Sequence, residues 1–547
     1  MSPRKTFWVS LAILVGLATL KGVSAGWSWL QRKRLARQVK RSFLSTELEQ
    51  ALLSIKEVIG TFEKDVRDNV KWNWGRDRLP SVLVDLLILN TVHERATMLR
   101  LPPLSRQGEK LSSCDESVGK EAARYVRFAS AAYGVVMLKG WNVMSWDVGW
   151  PPMHKLSYQE LNAWCITRHC GIEDEDLLQV NLAEQRKLHL PGYIIAVDHS
   201  TSSVVLSVRG TFSVQDAITD LVCDCAEFMG GACHRGLRQG AELLLEDVRE
   251  DLVTALNRYK GYRLVLCGHS LGGGVSILLT MLVLQRRKEL GLGGKKVVCY
   301  AFAPPPVFGP LDKLSSEVRE SIHAFAFGND MVTRLSMANA YELFRDLKEI
   351  GGMGVNFAVR CRYLARERMP HVRATDDGLG AVGMEVVYRY PMILRRTGSL
   401  RSSMGEGQCG EKHPVEAFVR RKLSQDFTET GQPKHDPKGR EGSMARPTFF
   451  CRHHPTCKYE KLMIPGKIFH MRKLAGEGGV GAGDPAAPPL RGTPKGDAEK
   501  AYWIERASPE EFERLLIVDT AIMDHLPKVY EEALHTLFGD GLELRPK

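Results

Sequence analysis

The sequence predicts an α/β fold in which a mostly parallel central sheet is flanked by helices. Two observations carry this prediction: short apolar runs typical of buried strands alternate with longer segments of helical periodicity, and one strand-to-helix junction has a glycine-rich turn. The chain has 547 residues, and its hydrophobic share of 44% suffices for a large core. The predicted strands are Tyr193 to Val197, Ser203 to Val208, an apolar run beginning near Arg263, Val297 to Phe302, Ile322 to Phe327 and a strand-like stretch from Lys461 to Met471; the predicted helices include Glu121 to Met137 and His234 to Lys260.

The glycine-rich junction runs from Gly268 to Gly272 (GHSLG), between an apolar strand and an apolar helical segment. A Gly-x-Ser-x-Gly turn in this setting is the nucleophile elbow of α/β-hydrolases, where the tight turn leaves no room for a Cβ beside the serine. The turn holds the serine hydroxyl at the positive end of the next helix, which stabilises a developing oxyanion. We therefore predict an α/β-hydrolase fold with Ser270 as nucleophile. A chance match in a chain with 50 glycines is the alternative.

A serine nucleophile needs a base, and the base needs a carboxylate to orient it. In this fold the acid and then the base follow the serine along the chain, and Ser270, Asp330 and His525 obey that order. Asp330 comes just after a predicted strand, at the end where parallel strands deliver functional residues. The chain has 16 histidines, so order alone does not single out one of them as the base. The competing candidates for the base are His470, His323 and His269.

The strand from Ser203 to Val208 predicts part of an oxyanion hole. It is followed by Arg209, Gly210 and Thr211. In an α/β-hydrolase an early strand delivers one backbone N–H donor just past its end. We predict that Thr211 supplies this donor and that its hydroxyl adds a second one; an ordinary strand exit is the alternative.

The N-terminal segment from Thr6 to Leu30 is apolar apart from Lys21 and a few small polar residues, and it is long enough to cross a bilayer as a helix. A basic block follows it, consisting of Arg32, Lys33, Arg34, Arg37, Lys40 and Arg41. This flank predicts a single-pass anchor with the catalytic domain in the cytosol. The alternative is a cleaved signal peptide with Val23-Ser24-Ala25 at its cleavage site, which would send the protein into the secretory pathway.

Composition limits the partners of the protein. The net charge of +11 comes without a recognisable nucleic-acid-binding motif, which favours an anionic membrane surface over nucleic acid. The 12 cysteines lack the regular spacing of a disulfide scaffold, which favours reduced thiols facing the cytosol. One cluster of thiols and imidazoles is too cramped for a single tetrahedral metal site, so no metal is predicted there: Cys451, His453, His454 and Cys457.

Composition also predicts the domain organisation. Residues 375–447 are rich in Gly, Ser, Arg and Lys, which indicates a mobile insertion, and two serines three residues after an arginine (Ser399 and Ser424) suit a basophilic kinase. The predicted regions are a membrane anchor with its basic flank, 1–41; a helical N-terminal region, 42–110; a first part of the catalytic domain, 111–374; the insertion, 375–447; and a second part of the catalytic domain, 448–547, which contains a Gly/Pro-rich linker, 476–500.

Several short motifs occur in a fixed order along the chain. They are FASAAYG from Phe128 to Gly134, SVRGTFSVQDAITD from Ser207 to Asp220, HRG from His234 to Gly236, GHSLG from Gly268 to Gly272, AFAPP from Ala301 to Pro305, GNDMVTR from Gly328 to Arg334, PGKIFH from Pro465 to His470 and DHLP from Asp524 to Pro527. In these motifs the chain resembles the class 3 lipases and, within them, the sn-1-specific diacylglycerol lipases. The resemblance runs from about Glu121 to Leu347 and from Lys461 to Tyr530.

The resemblance implies a serine lipase that hydrolyses the sn-1 acyl ester of diacylglycerol to a fatty acid and a monoacylglycerol. A broad triacylglycerol lipase or phospholipase A1 is an alternative, and a catalytically silent membrane scaffold of the same fold is another. The animal diacylglycerol lipases have several membrane spans before the catalytic domain, whereas this sequence offers one. They are also associated with calcium, but the sequence has no calcium-loop motif and the chemistry of a serine triad requires no cofactor.

The resemblance also assigns roles to single residues. Ser270, Asp330 and His525 match the nucleophile, the acid and the base of the family. Thr211 and the N–H of Leu271 match its oxyanion donors. The lid of related lipases would lie near residues 224–233.

Overall fold

A computed structural model describes residues 79–99, 113–140, 143–144, 156–182, 190–211, 225–352, 355–368, 371–375, 383–387, 415, 459–473 and 502–539. Its strands are β1 (Leu177–Asn181), β2 (Tyr193–Asp198), β3 (Ser203–Val208), β4 (Cys225–Phe228), β5 (Gly231–His234), β6 (Arg263–His269), β7 (Val297–Phe302), β8 (Phe308–Gly309), β9 (Ile322–Phe327), β10 (His371–Thr375), β11 (Gly383–Val387), β12 (Lys467–Lys473) and β13 (Tyr502–Ala507). Its α-helices are α1 (Leu79–Leu99), α2 (Ser113–Ala131), α3 (Gly134–Gly140), α4 (Tyr158–Cys170), α5 (Arg235–Arg258), α6 (Leu271–Gln285), α7 (Ser316–Ser321), α8 (Met337–Gly351), α9 (Phe357–Arg368) and α10 (Pro527–Phe538).

An 8-stranded sheet forms the centre of the fold, in the order β1-β2-β3-β6-β7-β9-β12-β13. The inner strands β3, β6, β7, β9 and β12 are parallel. Strands β1 and β2 at one edge and β13 at the other run antiparallel to their neighbours. Parallel neighbours require crossover connections, and α5, α6 and α7 lie in those connections. The predicted α/β fold with a mostly parallel sheet is therefore confirmed.

Alternate side chains of the inner strands enter two hydrophobic cores, one on each face of the sheet. Leu264 and Leu266 of β6 belong to the core that also contains apolar residues of α1, α5, α6 and α8. Val265 and Cys267 of the same strand belong to the core that contains residues of α2 and α10. Burial on both faces explains why these strands read as continuous apolar runs in the sequence.

One predicted helix is broken in the structure, and one helix of the N-terminal region packs into the core. The predicted helix from Glu121 to Met137 is broken, because Gly134 adopts a left-handed φ of 74° and separates α2 from α3. In the predicted helical N-terminal region, α1 packs into the main core, where Leu86 and Ile88 are fully buried. Asp85 of α1 also pairs with Arg360 of α9.

The prediction of a single-pass membrane protein is corrected by the structure. No helix within the described residues is long and apolar enough to cross a bilayer. The segment from Thr6 to Leu30, on which the prediction rested, lies outside those residues. So do the cysteine and histidine cluster at residues 451–457, the linker 476–500, and all of the predicted insertion except Thr375, β11 and Val415.

The segment expected to form a lid is a β-hairpin in the structure. Strands β4 and β5 pair antiparallel, and β5 pairs with β8 to complete a small sheet. Phe228 and Cys233 of the hairpin are buried in the main core. This hairpin is therefore an integral part of the fold, and residues 212–224 before it lie outside the described chain.

The stacked aromatic rings at the centre of the sheet generate a stability prediction. Phe325 of β9 lies between Phe302 and Phe469, with ring centroids 5.5 and 5.0 Å away. Replacing Phe325 by Ala opens a cavity in this stack, so we expect the free energy of unfolding, measured by urea denaturation, to fall by about 3–5 kcal/mol. Phe357→Ala, at a ring position that is 44% exposed, is the control and should lose far less. Equal losses in the two variants would contradict the central place of the stack.

Candidate active site

The parallel strands bring three chain segments to one end of the sheet. Ser270 directly follows β6, Asp330 follows β9, and Thr211 follows β3. Because these strands are parallel, their carboxyl ends lie at the same edge. The side chains that the sequence assigns to one site are therefore carried to one place by the fold.

The turn at Ser270 depends on the two glycines beside it. Ser270 has φ 61° and ψ −131°, a strained conformation for a residue with a side chain. A Cβ on Gly268 would lie 2.5 Å from the backbone of Gly272, and a Cβ on Gly272 would collide with the carbonyl oxygen of Val208. Both glycines thus permit helix α6 to begin against the end of β3.

The side chains of Ser270, His525 and Asp330 form a hydrogen-bonded line. His525 Nε2 lies 2.9 Å from Ser270 Oγ, and His525 Nδ1 lies 3.0 Å from each carboxylate oxygen of Asp330. A carboxylate accepts hydrogen bonds, so Nδ1 carries the proton and Nε2 is left to accept from the serine hydroxyl. All three residues are buried, which strengthens these interactions.

Asp330 accepts two further hydrogen bonds. The hydroxyl of Tyr530 on α10 donates to Oδ2 at 2.6 Å, and the backbone N–H of Val332 donates to Oδ1 at 2.8 Å. Burial and the charge of Asp330 raise the pKa of Tyr530 well above its usual value, so its hydroxyl stays protonated and donates. These donors fix the carboxylate in the orientation that faces His525.

The neighbour of the nucleophile, His269, does not contact the serine as a base. Its Nε2 lies 2.9 Å from the backbone carbonyl oxygen of His525, and its Nδ1 lies 2.9 Å from the hydroxyl of Tyr133. Burial, and next the proximity of His525, lower the pKa of His269 well below its usual value. The neutral ring therefore donates from Nε2 to the carbonyl and accepts from Tyr133 at Nδ1.

Tyr133 joins this arrangement to the strand end that precedes Thr211. Its oxygen accepts a hydrogen bond from the backbone N–H of Gly210. A Cβ on Gly210 would lie 2.6 Å from the carbonyl oxygen of His269 and 3.1 Å from the Cβ of Ser270. A continuous hydrogen-bonded chain, the Tyr133 relay, thus runs from Gly210 through Tyr133 and His269 to the backbone of His525.

The other candidate histidines lie elsewhere. His470 Nε2 donates to the carbonyl oxygen of Gly328 at 2.7 Å, and burial together with Arg472 lowers its pKa. His323 lies near the start of β9, at the opposite end of the strand from Asp330, and burial lowers its pKa to about 4. Neither histidine makes a described contact with Ser270, whereas His525 does.

One predicted oxyanion donor, Leu271, follows the serine in the chain, and the other, Thr211, follows a residue that packs beside the serine. Leu271 is the first residue of α6, where backbone N–H groups have no acceptor within the helix. Thr211 follows Gly210, which packs beside Ser270. Both positions suit donors to an oxygen bound at the serine.

The described residues contain no group of three or more His, Cys, Asp or Glu side chains that could hold a metal ion. The calcium association implied by the resemblance therefore has no counterpart in the described part of the chain. The hydrogen bonds that join Ser270, His525 and Asp330 are all made by protein side chains.

Sequence reasoning missed Tyr530 and Tyr133 as parts of the site. Tyr133 falls within the predicted helix from Glu121 to Met137, and Tyr530 reaches Asp330 across 200 residues of sequence. The one available signal was position: Tyr133 lies in the FASAAYG motif, and Tyr530 lies one turn into the helix after His525. Neither position identifies a partner by itself.

Part of this chain is similar in sequence to known lipases. Residues 205–340 match the family model Lipase (class 3). Diacylglycerol lipase-beta of Mus musculus is 25% identical over 389 residues, which cover 69% of this chain and 48% of that protein. Diacylglycerol lipase-alpha of Rattus norvegicus is 30% identical over 207 residues, which cover 35% of this chain and 19% of that protein.

Among solved structures, a lipase from Rhizopus microsporus var. chinensis is similar with a TM-score of 0.31 and 20% sequence identity, covering 41% of this chain and 70% of that one. The matched region spans less than half the length of the two diacylglycerol lipases. Within that region, the chain carries a class 3 lipase domain and is homologous to the diacylglycerol lipases alpha and beta.

Proposed function

We propose that this protein is a serine lipase that hydrolyses the sn-1 acyl ester of diacylglycerol. The observation that carries the proposal is the hydrogen-bonded line from Ser270 through His525 to Asp330 at the end of a parallel sheet. The class 3 lipase domain supports acyl-ester hydrolysis, and the named relatives, both diacylglycerol lipases, support the substrate.

In the proposed mechanism, Ser270 attacks the carbonyl carbon of the ester while His525 Nε2 takes the proton of the hydroxyl. The Nδ1–H of His525 stays hydrogen-bonded to Asp330, which stabilises the imidazolium that forms. The imidazolium then gives the proton to the departing glycerol oxygen, and an acyl-enzyme remains on Ser270. His525 next takes a proton from water, which attacks the acyl-enzyme, and it returns this proton to the Ser270 oxygen as the fatty acid leaves.

The proposed oxyanion hole consists of Thr211 and the N–H of Leu271. The Leu271 N–H lies at the positive end of α6, which stabilises negative charge on the carbonyl oxygen. The Tyr133 relay supports both sides of the site, because it ties the strand end before Thr211 to the backbone of His525.

The proposed partner is a lipid surface that contains the substrate. Diacylglycerol resides in lipid aggregates, and the net charge of +11 suits a surface with anionic headgroups.

A basophilic kinase acting on residues 375–447 is a further proposed partner, because Ser399 and Ser424 follow arginine at the required spacing.

Removing a member of the line tests the triad. In Ser270→Ala and His525→Ala we expect kcat for a diacylglycerol to fall by about 10³-fold or more, because nucleophile and base act as a unit. Initial rates of fatty-acid release in mixed micelles measure this. His323→Ala is the matched control, since this buried histidine lies near the start of β9, at the opposite end of the strand from Asp330, and the variant should keep most of the activity.

A fluorophosphonate probe supplies an independent check of the nucleophile. The wild-type protein should be labelled and Ser270→Ala should not. Labelling of the alanine variant as strong as that of the wild type would disprove the assignment of Ser270. An unlabelled wild-type protein would favour the silent scaffold.

A substrate panel tests the lipid class. We expect purified protein in mixed micelles to hydrolyse 1,2-diacylglycerol faster than triacylglycerol, monoacylglycerol or phospholipid, and to release 2-monoacylglycerol as the glycerolipid product. The control is Ser270→Ala under the same conditions. Equal rates on triacylglycerol, or a faster rate on a phospholipid, would replace the proposed substrate by one of the alternatives.

The Tyr133 relay predicts a specific effect on turnover. Tyr133→Phe removes the acceptor of Gly210 N–H and the donor to His269, so we expect kcat to fall on the order of tenfold while KM changes little. Tyr125→Phe is the control: this tyrosine lies on α2, which ends just before Tyr133, but its hydroxyl bonds to Ser203 at the start of β3. It should lower thermal stability and leave kcat unchanged; equal kcat in the two variants would show that the relay is only structural.

A further inference from the structure

A second carboxylate lies next to the proposed base. Asp524 belongs to the short 3₁₀ helix Met523–His525, and its Oδ2 accepts hydrogen bonds from the backbone N–H of Asn329 at 2.8 Å and from the hydroxyl of Thr520 at 2.7 Å. One oxygen of Asp524 thus joins the loop that carries Asp330 to the segment that carries His525.

The chain leaves room for this contact by placing a glycine opposite the carboxylate. Gly328 has a left-handed φ of 51°, and a Cβ there would overlap Oδ2 of Asp524. The carbonyl oxygen of Gly328 accepts from His470 on β12, and the N–H of Gly328 donates to Met471 at 2.8 Å. The loop is therefore held by β12 on one side and by Asp524 on the other.

Within the described residues, one hydrogen bond joins the backbone of this loop to the backbone of the His525 segment. It runs from the N–H of Met331 to the carbonyl oxygen of Ala521 at 3.1 Å. Asp524 fixes the loop at a second point. Its partner Asn329 precedes Asp330 in sequence, whereas Met331 follows it. Two fixed points on either side of Asp330 restrict how far its carboxylate can move from His525 Nδ1.

The carboxylate of Asp524 is buried close to the carboxylate of Asp330. Burial raises the pKa of Asp524 to about 6, and the nearby charge of Asp330 acts in the same direction. Tyr530, which also faces this carboxylate, stays neutral. The hydrogen bonds from Asn329 and Thr520 lower this pKa and so offset part of the effect of burial.

We propose that Asp524 is a positioning residue that holds the loop of Asp330 against the segment of His525, so that the acid and the base keep their hydrogen-bonded geometry. The inference rests on the proposed function of the triad. Asp524 touches neither Ser270 nor the reacting ester, and it acts through the backbone of Asn329.

The test compares Asp524→Ala with Asp524→Asn in the full-length chain. The alanine variant loses the acceptor for Asn329, so its kcat for diacylglycerol should fall on the order of tenfold or more with little change in KM. The asparagine variant keeps an acceptor oxygen of the same shape, so its kcat should stay within about threefold of wild type. Its thermal midpoint at pH 8 should equal or exceed that of wild type, since a buried charge has been removed.

Asp519→Ala is the matched control. Asp519 lies in the same segment, but its carboxylate accepts from Asn90 of α1, so its loss should change the thermal midpoint without changing kcat. Rates are normalised to active sites titrated with a fluorophosphonate. If Asp524→Ala turns over as fast as wild type, or if Asp524→Asn is as slow as Asp524→Ala, the inference is wrong. These outcomes concern the variants alone. If the proposed function itself is wrong, the wild-type protein neither hydrolyses the ester nor is labelled by the fluorophosphonate.

Discussion

The close approach of helix α6 to the end of β3 is the constraint on which the site depends. Gly272 and the carbonyl oxygen of Val208 meet where a side chain would collide, and Gly268 packs against Gly272. This approach forces Ser270 into a left-handed conformation that places its hydroxyl at the helix N-terminus. It also carries the chain past β3 beside the serine, where Gly210 continues to Thr211. The proposed nucleophile and the proposed oxyanion donors are thus positioned by the same backbone contact.

The remaining members of the site reach this point through buried polar groups. Asp330 is held by Tyr530 and by a backbone N–H, and the backbone of His525 is held by His269. Burial keeps Tyr530 and His269 neutral, so each has a fixed donor and acceptor pattern. A network of this kind restricts the geometry of its members because an unpaired buried group is costly.

Much of the fold was readable from the sequence because its signals are local. The strands Ser203–Val208, Val297–Phe302 and Ile322–Phe327 begin and end as predicted, since burial on both faces gives uninterrupted apolar runs. The helix break at Gly134 was missed, because a glycine in an apolar helical pattern does not reveal the sign of its φ angle. The predicted lid segment was misjudged because the burial of Phe228 depends on β8, which is distant in sequence.

The sequence by itself determined the parallel sheet, the glycine-flanked turn at Ser270 and the chain order of Ser270, Asp330 and His525. Periodicity and the absence of a Cβ are properties of single segments, so they are visible before folding. Only the tertiary structure decided that the ring of His525, and neither that of His470 nor that of His269, hydrogen-bonds to the serine hydroxyl. It alone brought Tyr530 to Asp330 across 200 residues. Such contacts follow from the way strands and helices pack around one core, and no local pattern in the chain encodes that packing.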